Sequence, residues 1–180
     1  ALSYTEPIIG ASSAWTLLDA PYSNIDATPD SLRPREPGTS FYLFDSYNAA
    51  EGTESRLYSK CIGLPPGSPG IKTTFWMSHD SVFTAYKDSL YVSISTDKGQ
   101  SWTRLKGFGR VDANAPEFYW QKDSVSIDLT DYPGQAVQIA FEGVSYYGNS
   151  FGLDDITINP CPSTGFNATT AVSCDSYSWS

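Results

Sequence analysis

The sequence predicts an all-β protein, a two-sheet antiparallel sandwich of the jelly-roll kind. Three observations carry that expectation. Short segments rich in β-branched and aromatic residues alternate apolar and polar positions with period two. Turn formers, among them 14 Gly and 12 Pro, break the chain at short intervals. No stretch of the 180 residues sustains the spacing of three and four that an amphipathic helix needs.

Taken in order, residues 1–40 read as irregular apart from Trp15-Thr16-Leu17-Leu18, which leads into a loop carrying Pro21, Pro29, Pro34 and Pro37. Phe41-Tyr42-Leu43-Phe44 is a strand, followed by a polar loop with Asp45, Asn48, Glu51 and Glu54. Ser55-Arg56-Leu57-Tyr58-Ser59 alternates and runs into the turn Pro65-Pro66-Gly67. Thr73–His79 is dense in β formers. Leu90–Ser95 puts Leu90, Val92 and Ile94 on one face. Val125–Leu129 and Val137–Phe141 alternate in the same way, and Ile156–Ile158 closes the set. The sandwich is expected over residues 1–161. From Pro162 to Ser180 the chain turns rich in Ser and Thr, reads as a linker plus the start of another module, and is expected to belong to a longer protein.

A net charge of −9 argues against nucleic acid and anionic membrane surfaces as partners. It suits a soluble extracellular protein, and no apolar run is long enough to span a bilayer. The three cysteines include no CxxC pair and the chain has one His, so a zinc site is not expected. Cys61 and Cys161 could form one disulfide, leaving Cys174 for a partner outside this chain; three buried thiols fit equally well.

Phe151-Gly152-Leu153-Asp154-Asp155-Ile156-Thr157-Ile158 sets two adjacent carboxylates in a strand. Successive strand side chains face opposite ways, so one Asp is expected on the interior side. A carboxylate there needs a cation or dense hydrogen bonding, and calcium is the hard cation that oxygen ligands would take. Ser95-Thr96-Asp97-Lys98-Gly99-Gln100-Ser101-Trp102 matches S-x-D-x-G-x-x-W, the Asp box. Asp97 would accept turn N–H groups, Gly99 would take positive φ, and Trp102 would pack across the hairpin. The expected role is structural.

Nothing in the chain predicts catalysis. His79 stands alone at a strand end, with no nucleophile and acid near it in sequence. Glu117 and Asp123 flank Phe118-Tyr119-Trp120 without the paired-carboxylate spacing of a glycosidase. Phosphate and dinucleotide motifs are absent. Aromatic residues form the other candidate site: Tyr119, Trp120, Tyr146 and Tyr147 could stack on sugar rings, the last two within the turn Tyr146-Tyr147-Gly148-Asn149-Ser150.

The ordered set Gly38–Asp45, Glu54–Ser59, Phe75-Trp76-Met77, Asp88–Val92, Trp120, Val125, Val137–Gly143, Leu153–Ile156 and Cys161 resembles the MAM domain. That module is a jelly roll of extracellular adhesive and receptor proteins. The family's N-terminal cysteine pair is missing here. The Asp box resembles instead the bacterial MAM-like and cleaved-adhesin modules of large secreted proteins. Thr169–Trp179 is similar to a repeat of long surface proteins in gliding bacteria. The resemblance implies a secreted or cell-surface module, covalently joined to neighbouring domains, that adheres to protein or glycan. It implies a structural calcium held by Glu6, Asp45, Asp154 and Asp155. The alternative function is a carbohydrate-binding module accessory to a secreted hydrolase or protease.

Overall fold

The computed structural model describes residues 8–11, 14–19, 21–22, 32–36, 39–64, 69–114, 118–128, 132 and 136–160. In chain order the strands are β1 Ile8–Ala11, β2 Trp15–Leu18, β3 Phe41–Phe44, β4 Glu54–Ser59, β5 Ile62–Gly63 and β6 Gly70–His79. They continue as β7 Ser89–Ser95, β8 Thr103–Gly109, β9 Tyr119–Asp128, β10 Ala136–Val144 and β11 Phe151–Pro160. One sheet runs β1-β4-β10-β7-β8, with β5 pairing onto β10; the other runs β2-β3-β11-β6-β9. All strand pairings are antiparallel. The expected sandwich is the observed one.

Period-two patterning decides which side chains meet between the sheets. Leu57, Leu90, Val92, Ile94, Val137, Ile139 and Phe141 project from the first sheet. Phe44, Ile71, Phe75, Met77, Phe151 and Leu153 project from the second. Phe75 meets Phe141 edge-on with ring centroids 5.1 Å apart, a favourable quadrupole geometry. A smaller cluster lies on the opposite face of the second sheet, where Leu32, Phe41 and Leu43 are buried with Trp120 and Phe118 against them. Strand β3 therefore buries both faces, and this follows from its unbroken Phe-Tyr-Leu-Phe run.

Two elements depart from the sequence reading. Residues 1–40 contain a strand before Trp15: β1 pairs antiparallel with β4. Thr103–Gly109 forms the edge strand β8, largely exposed along its length, so it lacks the alternation by which strands are recognised. Residues 162–180, expected to be a linker and the start of a following module, lie outside the described residues, as do Cys161 and Cys174.

Among the connections that cross from one sheet to the other, β3–β4, β6–β7, β8–β9 and β10–β11 all lie at the same end of the sandwich. The β7–β8 hairpin lies at the opposite end. There Asp97 Oδ1 accepts from Ser101 N at 2.8 Å and from Ser95 Oγ at 2.8 Å. Trp102 Nε1 donates to the Gly99 carbonyl at 3.2 Å. Bonds from the Ser101 hydroxyl and N–H hold the Asp97 carboxyl at about 2. Gly99 has φ +82. Replacing Gly99 with Val should cost about 1–2 kcal/mol in urea unfolding, because a β-branched residue is strained at that φ.

Candidate functional site

The acidic pair is held differently from expectation. Leu153 packs in the core, Asp154 faces away from it, and Asp155 takes φ +47 where the β11 register shifts. That irregularity breaks the alternation which would have pointed Asp155 inward. Neither carboxylate enters the space between the sheets. The cation beside them is Arg35: its backbone N–H donates to Asp154 Oδ2 at 2.9 Å and its Nε to Asp155 Oδ2 at 2.8 Å. Burial pushes the Asp154 carboxyl above its ordinary value, against the opposing bond from Arg35.

Asp45 is not brought to this pair. Pairing of Phe151 with Phe44 and of Leu153 with Tyr42 sets Asp45 and Asp154 beyond opposite ends of the short β3–β11 ladder. Asp45 Oδ1 accepts instead from the Tyr22 hydroxyl and the Ser150 hydroxyl, each at 3.0 Å. Burial raises the Tyr22 hydroxyl to about 12. Glu6 lies outside the described residues. Among the described residues, no three His, Cys, Asp or Glu side chains come together to hold a metal ion. The described donors thus do not fit calcium as one four-carboxylate pocket.

The cross-sheet loops rest on a buried ion triad that no sequence motif announces. Arg110, directly after β8, is fully buried, as are Asp88 and nearly so Asp80. Arg110 Nε donates to Asp88 Oδ2 at 2.9 Å, and Nη1 donates to Asp80. The same guanidinium reaches the Val82 and Tyr86 carbonyls at 3.0 and 3.2 Å. Asp88 Oδ1 accepts from Ser46 Oγ at 2.6 Å, Tyr146 N at 2.8 Å and Gly148 N at 3.1 Å. Asp80 Oδ2 accepts from Asn149 Nδ2 at 3.2 Å. Burial raises the Asp80 carboxyl, and the bonds from Arg110 and its neighbours oppose the rise. Each of the four loops therefore contributes at least one residue to the same charge cluster.

On this base the loops present aromatic rings to solvent. Tyr147 is 60 % exposed, Tyr146 and Tyr86 44 %, and Phe83 37 %. Phe83 lies beside Tyr47 with ring centroids 6.3 Å apart. Gly148 passes so close to Tyr86 that a Cβ there would lie 2.9 Å from the Tyr86 Cβ, which joins the 80s loop to the Tyr146–Tyr147 turn. Phe83 has φ +50 and Tyr147 φ +62. Bulky residues rarely adopt the left-handed region, and such strain concentrates at binding surfaces.

Tyr119 and Trp120, the other two expected platforms, are used internally. Trp120 packs edge-on against Phe41 at 6.0 Å and donates Nε1 to the Arg33 carbonyl at 3.1 Å. Tyr119 stacks on His79 at 5.4 Å and donates its hydroxyl to Asp112 at 2.9 Å. Their place on β9, paired along its length with β6, turns one ring to each side of the sheet. His79 is buried, and burial lowers its pKa despite Asp123, whose Oδ2 lies 3.9 Å from Nε2. Glu117 is outside the described residues. Sequence reasoning missed Tyr47, Phe83, Tyr86 and Arg110; aromatics in a stretch without strand alternation were the available signal for the first three.

No described protein family matches the chain, and no curated protein matches it in sequence. Among solved structures, it resembles the K1 cleaved adhesin domain of Lys-gingipain from Porphyromonas gingivalis, at 14 % identity and TM-score 0.56, over 90 % of this chain and 100 % of that one. The K3 cleaved adhesin domain of the same protein matches at 16 % identity and TM-score 0.51, over 87 % and 99 %. TmCBM61, solved in complex with β-1,4-galactotriose, matches at 14 % identity and TM-score 0.50, over 84 % and 87 %. At these identities the likeness establishes the shared sandwich fold.

Proposed function

We propose that this chain is a non-catalytic binding module of a secreted or surface protein, and that it engages glycans through its aromatic loop end. The observation that carries the reading is the pairing of strain with exposure at Phe83 and Tyr147 on loops fixed by Arg110. Solvent-facing aromatic rings on a rigid base lose little entropy on binding and can lie flat on a sugar face. Likeness to TmCBM61 supports the glycan class. Likeness to the cleaved adhesin domains supports the second reading, adhesion to protein, in which the same rings would serve as interface anchors. Membership of the MAM family and linkage to neighbouring domains are parts of this proposal.

A glycan screen with wild type and the Tyr146→Ala, Tyr147→Ala double variant tests it. The expected result is a hit weakened at least tenfold in the variant, with an unchanged unfolding midpoint. A hit that survives the double substitution moves the site elsewhere. No hit at all favours adhesion to protein. Turnover of any glycan by the purified chain would overturn the non-catalytic reading.

Calcium held by Asp154 and Asp155, with Glu6 as a further ligand and without Asp45, is a separate proposal, tested by melting the protein with calcium and then with a chelator. Binding to the native state alone raises the midpoint by mass action. An unchanged midpoint leaves Arg35 as the counter-ion of the acidic pair.

A further inference from the structure

At the same end of the sandwich as the aromatic rings lies a depression of about 330 Å³ lined by Ala14, Asp45, Asn48, Ala49 and Thr53. It adjoins the rings through the backbone. Ser145, which precedes Tyr146, donates its N–H to the Thr53 carbonyl at 2.9 Å and its hydroxyl to the Ala49 carbonyl at 3.4 Å. On the other flank, Asn48 directly follows Tyr47, whose ring pairs with Phe83. The residues that line the depression and those that carry the rings are therefore direct neighbours in chain and in hydrogen bonding at one end of the sandwich.

Its chemistry is dominated by acceptors held in place. Asp45 Oδ1 is saturated by the Tyr22 and Ser150 hydroxyls and by Asn48. Its Oδ2 receives only Asn48 Nδ2, at 2.9 Å, which leaves accepting capacity on that oxygen. Asn48 turns its amide nitrogen to Asp45, and its carbonyl oxygen can act only as an acceptor. Thr53 adds a hydroxyl. No cation pairs with Asp45 among the described residues, so the depression carries an uncompensated negative charge and disfavours anionic ligands.

We infer that this depression is the hydrogen-bonding half of the ligand site, and that it selects neutral sugars by receiving two neighbouring hydroxyls of one ring on Asp45 and Asn48. The inference rests on the reading of the loop end as glycan-binding. Stacking on the tyrosines gives area and little discrimination. A buried or fixed acceptor pair discriminates strongly, because a ligand lacking the matching donors leaves it unpaired. Anionic sugars bearing carboxylates are rejected by the same charge.

The test is a binding panel of immobilised neutral polysaccharides (a galactan, a xylan, a glucan and a mannan) and uronate-rich polysaccharides. It is run with wild type, Asn48→Ala, Thr53→Val and the double tyrosine variant. The expected result is binding to at least one neutral polymer, weakened about tenfold by Asn48→Ala and severalfold by Thr53→Val, with uronates unbound. No polymer bound by wild type overturns the glycan reading itself, and this inference with it. Neutral binding lost in the tyrosine variant yet unaltered in both Asn48→Ala and Thr53→Val overturns the inference and leaves the reading intact. Preference for uronates overturns the neutral class. Binding abolished by a chelator assigns the acceptors to a cation and overturns direct contact with hydroxyls.

Discussion

Replacing Arg110 with Ala is expected to destabilise the fold by about 3–5 kcal/mol, the range for removing one partner from a buried ion cluster. The loss comes less from missing attraction than from what is left behind. Asp80 and Asp88 would stay buried without a counter-charge, and the Val82 and Tyr86 carbonyls would lose their donor. Urea unfolding with wild type and variant measures it directly: the midpoint should fall with little change in slope. Hydrogen exchange at residues 145–150 should accelerate even where the strands remain protected, because Asp88 would no longer be held in register for the Tyr146 and Gly148 N–H groups. A loss below about 1 kcal/mol would mean that the two carboxylates readily take up protons or water, and that the triad does not anchor the loops. Replacing all three charged residues together with apolar side chains of similar volume should cost less than Arg110→Ala alone, since no orphaned charge remains.

The strands were legible in the sequence where one face is buried and the other is not. Leu90, Val92 and Ile94, and likewise Val137, Ile139 and Phe141, point into the core as their alternation predicts. Strand β8 was not legible, since an edge strand with solvent around it has no apolar face to betray it. Asp154-Asp155 departs from its expected facing because a register shift interrupts the alternation, and bulges leave no periodic mark in a sequence. The Tyr146-Tyr147 turn was recognisable from its Gly and Asn neighbours. Tyr119-Trp120 carried the same composition into a paired strand, where both rings were absorbed by packing. Arg110 was beyond reach: its burial depends on Asp80 and Asp88, which become its partners only when the β6–β7 connection folds back over the end of β8. Charge clusters assembled from distant loops have no local spacing to detect.

Gly148→Ala is the second large effect expected, about 3 kcal/mol, with binding affected as well as stability. A Cβ at Gly148 would lie 1.9 Å from Asp88 Oδ2 and 2.9 Å from the Tyr86 Cβ. Most side-chain collisions are cheap because the intruding atom is the far end of a flexible chain. This one is not, since Arg110, Ser46 and the Tyr146 N–H already hold the Asp88 carboxylate from separate directions. To admit the methyl group, either Asp88 swings away and abandons bonds to a buried charge, or the 145–150 loop lifts off and loses its own N–H bonds to that carboxylate. The first route carries the cost of an overpacked and half-satisfied polar cluster. The second displaces Tyr146, Tyr147 and the Gly148 contact with Tyr86, and so separates the rings from one another. Urea unfolding reports the sum of these costs, and binding by the remaining folded protein tells them apart. Affinity retained at reduced stability means that Asp88 moved, whereas affinity lost beyond the unfolded fraction means that the loop moved. A variant as stable as wild type would show that Asp88 is not pinned where the Arg110 cluster places it, and would remove the rigid base on which the aromatic loop end depends.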